Sequence, residues 1–407
     1  MRKLVWMACL AYLLAGFGHI IIGSVLEPMM DAYQLDYRDG GQLIMNQFLG
    51  FLVGVLFAPL VIKVLGRRLV LLLALALFAA SQLSLFLMLP WNVLLAIIPL
   101  GGAGLGLTET VLAGLIIGKL KEKKASIMVL TEVFFGVGAL AVPVLSALLI
   151  ANGIWNMVFL VVGAAVVVSS CLWLFLRFDE HEPLLTKEAV AVADGGEKPL
   201  KARYPKTSLP LVLFGSIFFF CYVGVEMTFP NYLPSILAMT SDLSPSVLAL
   251  SITVFWGAMT IGRMVMVFVV GKVNVATLFL LAVFGQLATL GLFAISPHYI
   301  ISFIVIFFAG LLMGGIFSLG LLVVNEGLPG LEDRTTSLLI AMGGLGGALL
   351  PRLTGSLLDH YSVQVTLLVI FAFALVMTAL MFLIFHFRKR LFTEAGKGGS
   401  ERISEVG

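Results

Sequence analysis

Charge is what this chain has least of. Asp, Glu, Lys and Arg make up 12% of its 407 residues, about half the share found in soluble domains, and that scarcity excludes a water-soluble fold. The basic residues are sorted along the chain instead of gathered into a patch, so no nucleic-acid partner is expected, and the net charge of +3 points to no other. Cysteine is nearly missing. Cys9, Cys171 and Cys221 lie in apolar stretches without metal-ligand spacing, which leaves packing as their role. The glycine strings at 101–106 and 343–347 also lie in apolar stretches, and neither is followed by Lys-Ser or Lys-Thr, so neither is a nucleotide loop. The sequence shows no metal cluster and no nucleophile triad, and it does not read as an enzyme.

What fills the chain is apolar sequence: 60% of the residues are hydrophobic and the mean hydropathy is +1.11. It falls into twelve stretches of about 20 residues, each long enough as a helix to cross a hydrocarbon core of roughly 30 Å. Helices are required because lipid offers no partner to an unpaired backbone group. An all-α membrane protein with twelve transmembrane helices, embedded in the lipid bilayer, is therefore expected. Every third stretch, 69–89, 154–176, 276–295 and 365–385, lacks charged residues. Two kinds of span follow: lipid-facing packing helices, and helices that line a pathway. Arg2-Lys3 begins span 1 and no Ala-x-Ala pattern follows it, so this helix reads as retained and not as a signal peptide.

Basic residues cluster at even-numbered boundaries: Arg2 and Lys3; Lys63, Arg67 and Arg68; Lys119, Lys121, Lys123 and Lys124; Lys187 to Lys206; and Arg388, Lys389 and Arg390. The opposite loops carry Asp31, Asp36, Asp39, Asp242 and Asp359, with Arg38 their lone basic neighbour. The positive-inside rule then places both termini and the central loop in the cytoplasm, in a multi-pass protein of the plasma membrane. Residues 178–207 are the only long polar stretch before the tail and read as a flexible cytoplasmic linker. They divide the chain into a six-helix bundle at 1–177 and a second at 208–388, with a cytoplasmic tail at 389–407. The halves repeat each other. Gly136-Val-Gly138-Ala-Leu-Ala-Val-Pro143 in span 5 matches Gly344-Leu-Gly346-Gly-Ala-Leu-Leu-Pro351 in span 11. Duplication of this kind marks transporters that rock two pseudo-symmetric halves around a central site.

Ionisable side chains inside the apolar spans are costly and mark a pathway. Glu109 in span 4 stands about 15 residues after Leu94, near mid-membrane. A carboxyl there suits a group that cycles a proton; the alternative is a permanently protonated carboxyl bonded to a neighbouring carbonyl. Gly102, Gly106, Gly114 and Gly118 on the same helix form a small-residue face for close approach of a neighbour or ligand. Glu226 in span 7 is about as deep, on a face with Tyr222, Pro230 and Pro234. Those prolines favour a broken or bent helix. Glu226 reads either as a proton or substrate site or as a structural carboxyl paired with Arg352 or another helix. His19 in span 1 is the natural pH-responsive group, unless burial holds it neutral. Glu132 lies near the termini-side end of span 5, within reach of Lys123, Lys124 or Arg263, and with Arg263 and Arg352 reads as gating or structural charge. Gln47, Tyr222, Asn231 and Trp256 offer amide, hydroxyl and aromatic contacts for a polar ligand, although isolated amides in spans also serve as glue between helices.

The whole chain resembles the major facilitator superfamily, with its 6 + 6 spans and cytoplasmic linker, and within it the fucose/glucose–proton symporter branch. The residues that carry the likeness are Gly18-His19-Ile20 with Gly23-Ser24, Gln47-Phe48-x-Gly50-Phe51, Glu109-Thr110, Glu132-Val-Phe-Phe-Gly136, Gly224-Val-Glu226 with Asn231-x-Leu-Pro234, Phe255-Trp256 and Gly262-Arg263. Two departures stand out. Gly66-Arg67-Arg68 survives from the superfamily's loop between spans 2 and 3, but Lys63 occupies its Asp position, and the Gly-Pro-x-x-Gly-Gly element of drug antiporters is not spelled in span 5. The resemblance implies symport of a small polar solute such as a hexose, with Glu109 coupling the proton; His19 stands where the resembled symporters more widely carry an acid, and the residues themselves suggest inward transport with His19 and Glu226 assisting and no cofactor besides the proton. A monomer is expected. The alternatives are proton-driven export of a lipophilic compound or lipid-linked sugar, and a non-transporting sensor or scaffold.

Overall fold

Because an apolar segment in lipid can satisfy its backbone only from within, the chain is helical almost throughout the computed structural model, which describes residues 2–119, 124–178, 182, 185–186, 204–269, 272–295, 298–329 and 331–404. Among the described residues, twelve spans are long and apolar enough to cross a membrane. In order they are Arg2–Ser24, Tyr37–Leu65, Arg67–Phe86, Trp91–Ile116, Leu130–Ala151 and Met157–Phe175, then Lys206–Ala238, Pro245–Met266, Val275–Ala294, Tyr299–Glu326, Thr335–His360 and Val363–Leu391. The protein is a multi-pass membrane protein. A short helix, Leu26–Tyr33, leads from span 1 to span 2.

Of the broken or bent helix expected in span 7, the break is absent. Leu209–Ala238 is one helix with Pro230 and Pro234 inside it. Residues 228–237 are all buried, and packing on every side holds the helical path that the prolines weaken. The interruption falls in span 10, where Gly314-Gly315 separates Tyr299–Met313 from Ile316–Glu326. The last span continues as a helix to Ser404, so residues 389–404 extend span 12 where a separate tail was expected. Within 178–207 only Phe178, Glu182, Leu185, Thr186 and 204–207 are described; the remainder of the linker, including Lys187, lies outside the described residues, as do Lys121 and Lys123.

The two halves pack alike. Span 1 lies on span 5, span 2 on span 4, and span 3 on spans 4 and 6; span 7 lies on span 11, span 8 on span 10, and span 9 on spans 10 and 12. The halves meet through spans 2 and 11, spans 5 and 8, and more lightly spans 1 and 7. The charge-free spans 3, 6, 9 and 12 make their main contacts inside their own half and present residues such as Leu160, Val168, Leu281 and Leu368 outward. The repeated glycines explain the close seams. A Cβ at Gly138 would run into the Leu13 carbonyl, and one at its repeat mate Gly346 into the Phe220 carbonyl. Likewise Gly102 and Gly106 rest on the carbonyls of Gln47 and Phe51, which brings span 4 against span 2.

Candidate functional site

Two charge clusters lie near the junction of the halves, one within the first half and one joining both. In the first half, His19 of span 1 sits in a ring of Phe48, Phe51 and Phe135, with centroids 5.2 to 5.6 Å away. Its Nδ1 lies 2.9 Å from the Ala15 carbonyl, and a carbonyl can only accept, so Nδ1 carries the hydrogen and Nε2 is left as the basic nitrogen. Glu109 Oε1 is 3.8 Å from the same Nδ1, too far for a hydrogen bond, and has no hydrogen-bond partner. Beside them Gln47 Nε2 donates to the Gly18 carbonyl at 2.7 Å, and the Thr110 hydroxyl donates to the Gly106 carbonyl.

The second cluster is centred on Arg263 of span 8. Its guanidinium lies 3.5 Å from Glu226 Oε1 in its own half and 3.6 Å from Glu132 Oε2 in the other. The side chains differ in access: Glu226 is 4% exposed, Arg263 29% and Glu132 49%. The cation also lies over Trp256, 5.9 Å from the ring centroid, and Trp256 meets Phe135 across the seam at 6.2 Å. The Glu132 carboxylate acts electrostatically on both Glu109 and Glu226, so it ties the two clusters into one field.

Of the partners considered for Glu226, Arg352 or another helix, the second is in place: Arg263 of span 8. Among the described residues Arg352 makes no ion pair; its Cα packs against Gly41 of span 2, on the far side of the membrane from Arg263, and the nearer cation takes Glu226. Of the partners considered for Glu132, Arg263 is the one in place, and the Lys123 and Lys124 side chains lie outside the described residues. The four residues read as ligand contacts are packed away in this conformation. Trp256 and Tyr222 are fully buried, and the Tyr222 hydroxyl donates to the Met313 carbonyl, 2.9 Å away, at the break in span 10. Asn231 donates to the Met227 carbonyl and packs its Oδ1 on Gly23 of span 1. Gln47 is spent on Gly18.

Sequence reasoning missed the junction at the end opposite the termini. There Asp359 of span 11 accepts from the backbone N–H groups of Tyr37 and Arg38 at 2.9 and 2.6 Å, capping span 2 from the other half. Tyr232 donates to the Tyr37 carbonyl at 3.2 Å. Asp359 was visible only as an acidic loop residue; nothing in its neighbourhood names span 2 as its partner. At the termini-side end Arg68 donates to the carbonyls of Trp173, Leu174 and Leu176 and to Glu182. A cavity of about 510 Å³ opens there between Arg68, Phe175, Arg177 and Glu182, away from both buried clusters.

With this geometry in view, comparison with known proteins is informative. The profile of the Major Facilitator Superfamily matches residues 8–330 and 217–404. A glucose/mannose transporter of Bacillus subtilis, GlcP, is 30% identical over 354 residues, 86% of this chain and 87% of its own. The structure of a D-xylose–proton symporter superposes with a TM-score of 0.75 at 13% identity, covering 93% of this chain and 97% of that one. The xylose transporter XylE of E. coli, in a partially occluded inward-open conformation, follows at 0.74 and 14%, covering 94% and 98%.

Proposed function

Because the chain belongs to the major facilitator superfamily, we propose that it is a proton-coupled sugar transporter of the plasma membrane that carries a hexose inward by alternating access. The observation that carries this reading is the pair His19 and Glu109, a carboxyl with an unpartnered Oε1 beside an imidazole within the first half. A proton taken up by Glu109 removes the one negative charge of that cluster, and the His19 ring, whose Nδ1 faces Glu109 at 3.8 Å, keeps Nε2 as its basic nitrogen. The Arg263 cluster holds the opposite wall. Asn231 and Trp256 lie at the seams between spans 1 and 7 and spans 5 and 8, so parting the halves would turn them toward a ligand. The glucose/mannose relative supports the hexose class. Both termini are placed in the cytoplasm by the basic residues of the even-numbered boundaries, the working unit is a monomer, and no cofactor other than the proton is needed.

A second reading, proton-driven export of a lipophilic compound or lipid-linked sugar, is favoured by the phenylalanine ring around His19. Purified protein in liposomes separates the two. An imposed inward proton gradient should accumulate labelled hexose, and Glu109→Gln should abolish substrate-dependent proton uptake while hexose binding persists. Expulsion of dye without hexose uptake would favour export, and proton uptake undiminished in Glu109→Gln would remove Glu109 from the mechanism.

A further inference from the structure

At the outer end of the bundle a half-buried carboxyl is left unused by this cycle. Glu27 lies in the short helix Leu26–Tyr33, outside the spans, and is partly covered by both halves. Tyr37 of span 2 donates its hydroxyl to Oε2 at 3.3 Å, and Ser235 of span 7 lies against it from the second half. Oε1 is buried without a hydrogen-bond partner, and so is the Ser235 hydroxyl. The cover over this carboxyl is held by the contacts from Asp359 to Tyr37 and Arg38 and from Tyr232 to Tyr37. Parting the halves here breaks those contacts and opens Glu27 to water.

The groups around Glu27 are three hydroxyls and several charged side chains. Its own helix contributes Asp31, span 7 contributes Ser235 and Tyr232, and span 2 contributes Tyr37, with Arg38 and Asp39 beyond; Asp359 comes from span 11. Asp31 is the charge that acts on the carboxyl, and no cation is among its described influences. Burial first, and Asp31 in addition, push Glu27 above the usual carboxylate range, against the hydroxyls of Ser235 and Tyr37. The start of its short helix offers little relief, since the end of span 1 abuts it and the two helix dipoles oppose each other there. An ionised carboxylate shut in without a cation is costly, whereas a protonated one is not.

We infer that Glu27 is the proton-binding residue of the outer gate: it takes a proton from outside water when the gate closes and returns it to the same water when the gate opens. The inference rests on the reading of the chain as an alternating-access transporter and adds to it a carboxyl that controls one gate without carrying the coupled proton. The sign follows from linkage. Closure is at full strength below the carboxyl's open-state value, weakens about tenfold per pH unit above it, and levels off above the closed-state value.

The test is a distance measurement between spin labels at Ala32→Cys, an exposed position of the short helix after span 1, and Asp242→Cys, an exposed position of the loop after span 7, with exposed Cys171 replaced by Ser, in lipid nanodiscs without substrate. The closed-to-open ratio of the labelled parent should fall with rising pH, by about tenfold per unit in the titrating range, and Glu27→Gln should stay closed at every pH. Glu27→Asp, which keeps a titrating group, should keep the pH response. A parent ratio that ignores pH, or a response that survives in Glu27→Gln, overturns the inference. No flux is needed, so absent hexose transport with this pH response intact would overturn the functional reading alone.

Discussion

Replacing Arg263 with Met tests the charge cluster most directly. The methionine keeps much of the aliphatic bulk over Trp256 but removes the cation 3.5 Å from Glu226. At that distance the bare attraction is about 5 kcal/mol for an effective dielectric of 20. Most of it is offset by the cost of bringing both charges out of water. What matters is the group left behind, since Glu226 is 4% exposed and cannot reach water. It would remain charged and unpaired or take up a proton, and the second route sets the ceiling. Protonating a glutamate with a solution value of about 4.3 costs about 1.4 kcal/mol per pH unit, hence roughly 4 kcal/mol at pH 7 and roughly 1 kcal/mol at pH 5. Glu132 is half exposed and screened, so its share of the loss stays within about 1 kcal/mol. For a chain of 407 residues, 4 kcal/mol corresponds to a melting shift of about 5 °C on the scale of globular proteins. Buried Cys9 and Cys221 report unfolding to a thiol-reactive dye in nanodiscs. The shift should be several degrees at pH 7, shrink at pH 5, and be largely restored by Arg263→Met combined with Glu226→Gln. An unchanged melting temperature at pH 7, or an equal shift at both pH values, would refute the ion pair.

Three further outcomes follow from the packing and the two ends of the bundle. Gly102→Val drives a side chain into the Gln47 carbonyl and should lower thermal stability by more than about 3 kcal/mol, whereas Gly114→Ala, with nothing within 4 Å, should be neutral or raise it by up to about 1 kcal/mol; the same dye melt compares them. Asp359→Ala removes both acceptors that cap span 2. At about 1 to 2 kcal/mol for a cap it should shift the gate roughly five- to thirtyfold toward open, read as the closed-to-open ratio of spin labels at Ala32→Cys and Asp242→Cys. Arg68→Ala frees the last carbonyls of span 6 and should cost about 1 to 2 kcal/mol, with Arg68→Lys recovering only part because an ammonium cannot fork across several carbonyls.

The division of labour in the clusters explains what reading residues one at a time could reach. Glu109, Glu132, Glu226, Arg263 and His19 were conspicuous because each is expensive in oil, and cost alone marks a position whatever its neighbours. Their partners were not marked. Arg352 was a named mate for Glu226 and Arg263 for Glu132, since both are single cations in apolar helices; the fold puts Arg352 against Gly41 and brings Arg263 to Glu226. Trp256 and Tyr222 looked like ligand contacts for the same reason that makes them good packing: a large face with one polar atom. Their burial depends on spans 10 and 5, remote in sequence.

The order of apolar stretches and the repeated motifs by themselves determined that this is a membrane protein of twelve helices with a repeated half, because lipid leaves no partner for an unpaired backbone group, runs of about 20 apolar residues suit helices, and hydrocarbon makes every buried charge conspicuous. Tertiary structure alone decided which charges meet, where a helix breaks, and that Asp359 closes one end by capping a helix of the opposite half. Those outcomes depend on angles and separations of a few ångströms between helices hundreds of residues apart, and no local pattern of side chains encodes such distances.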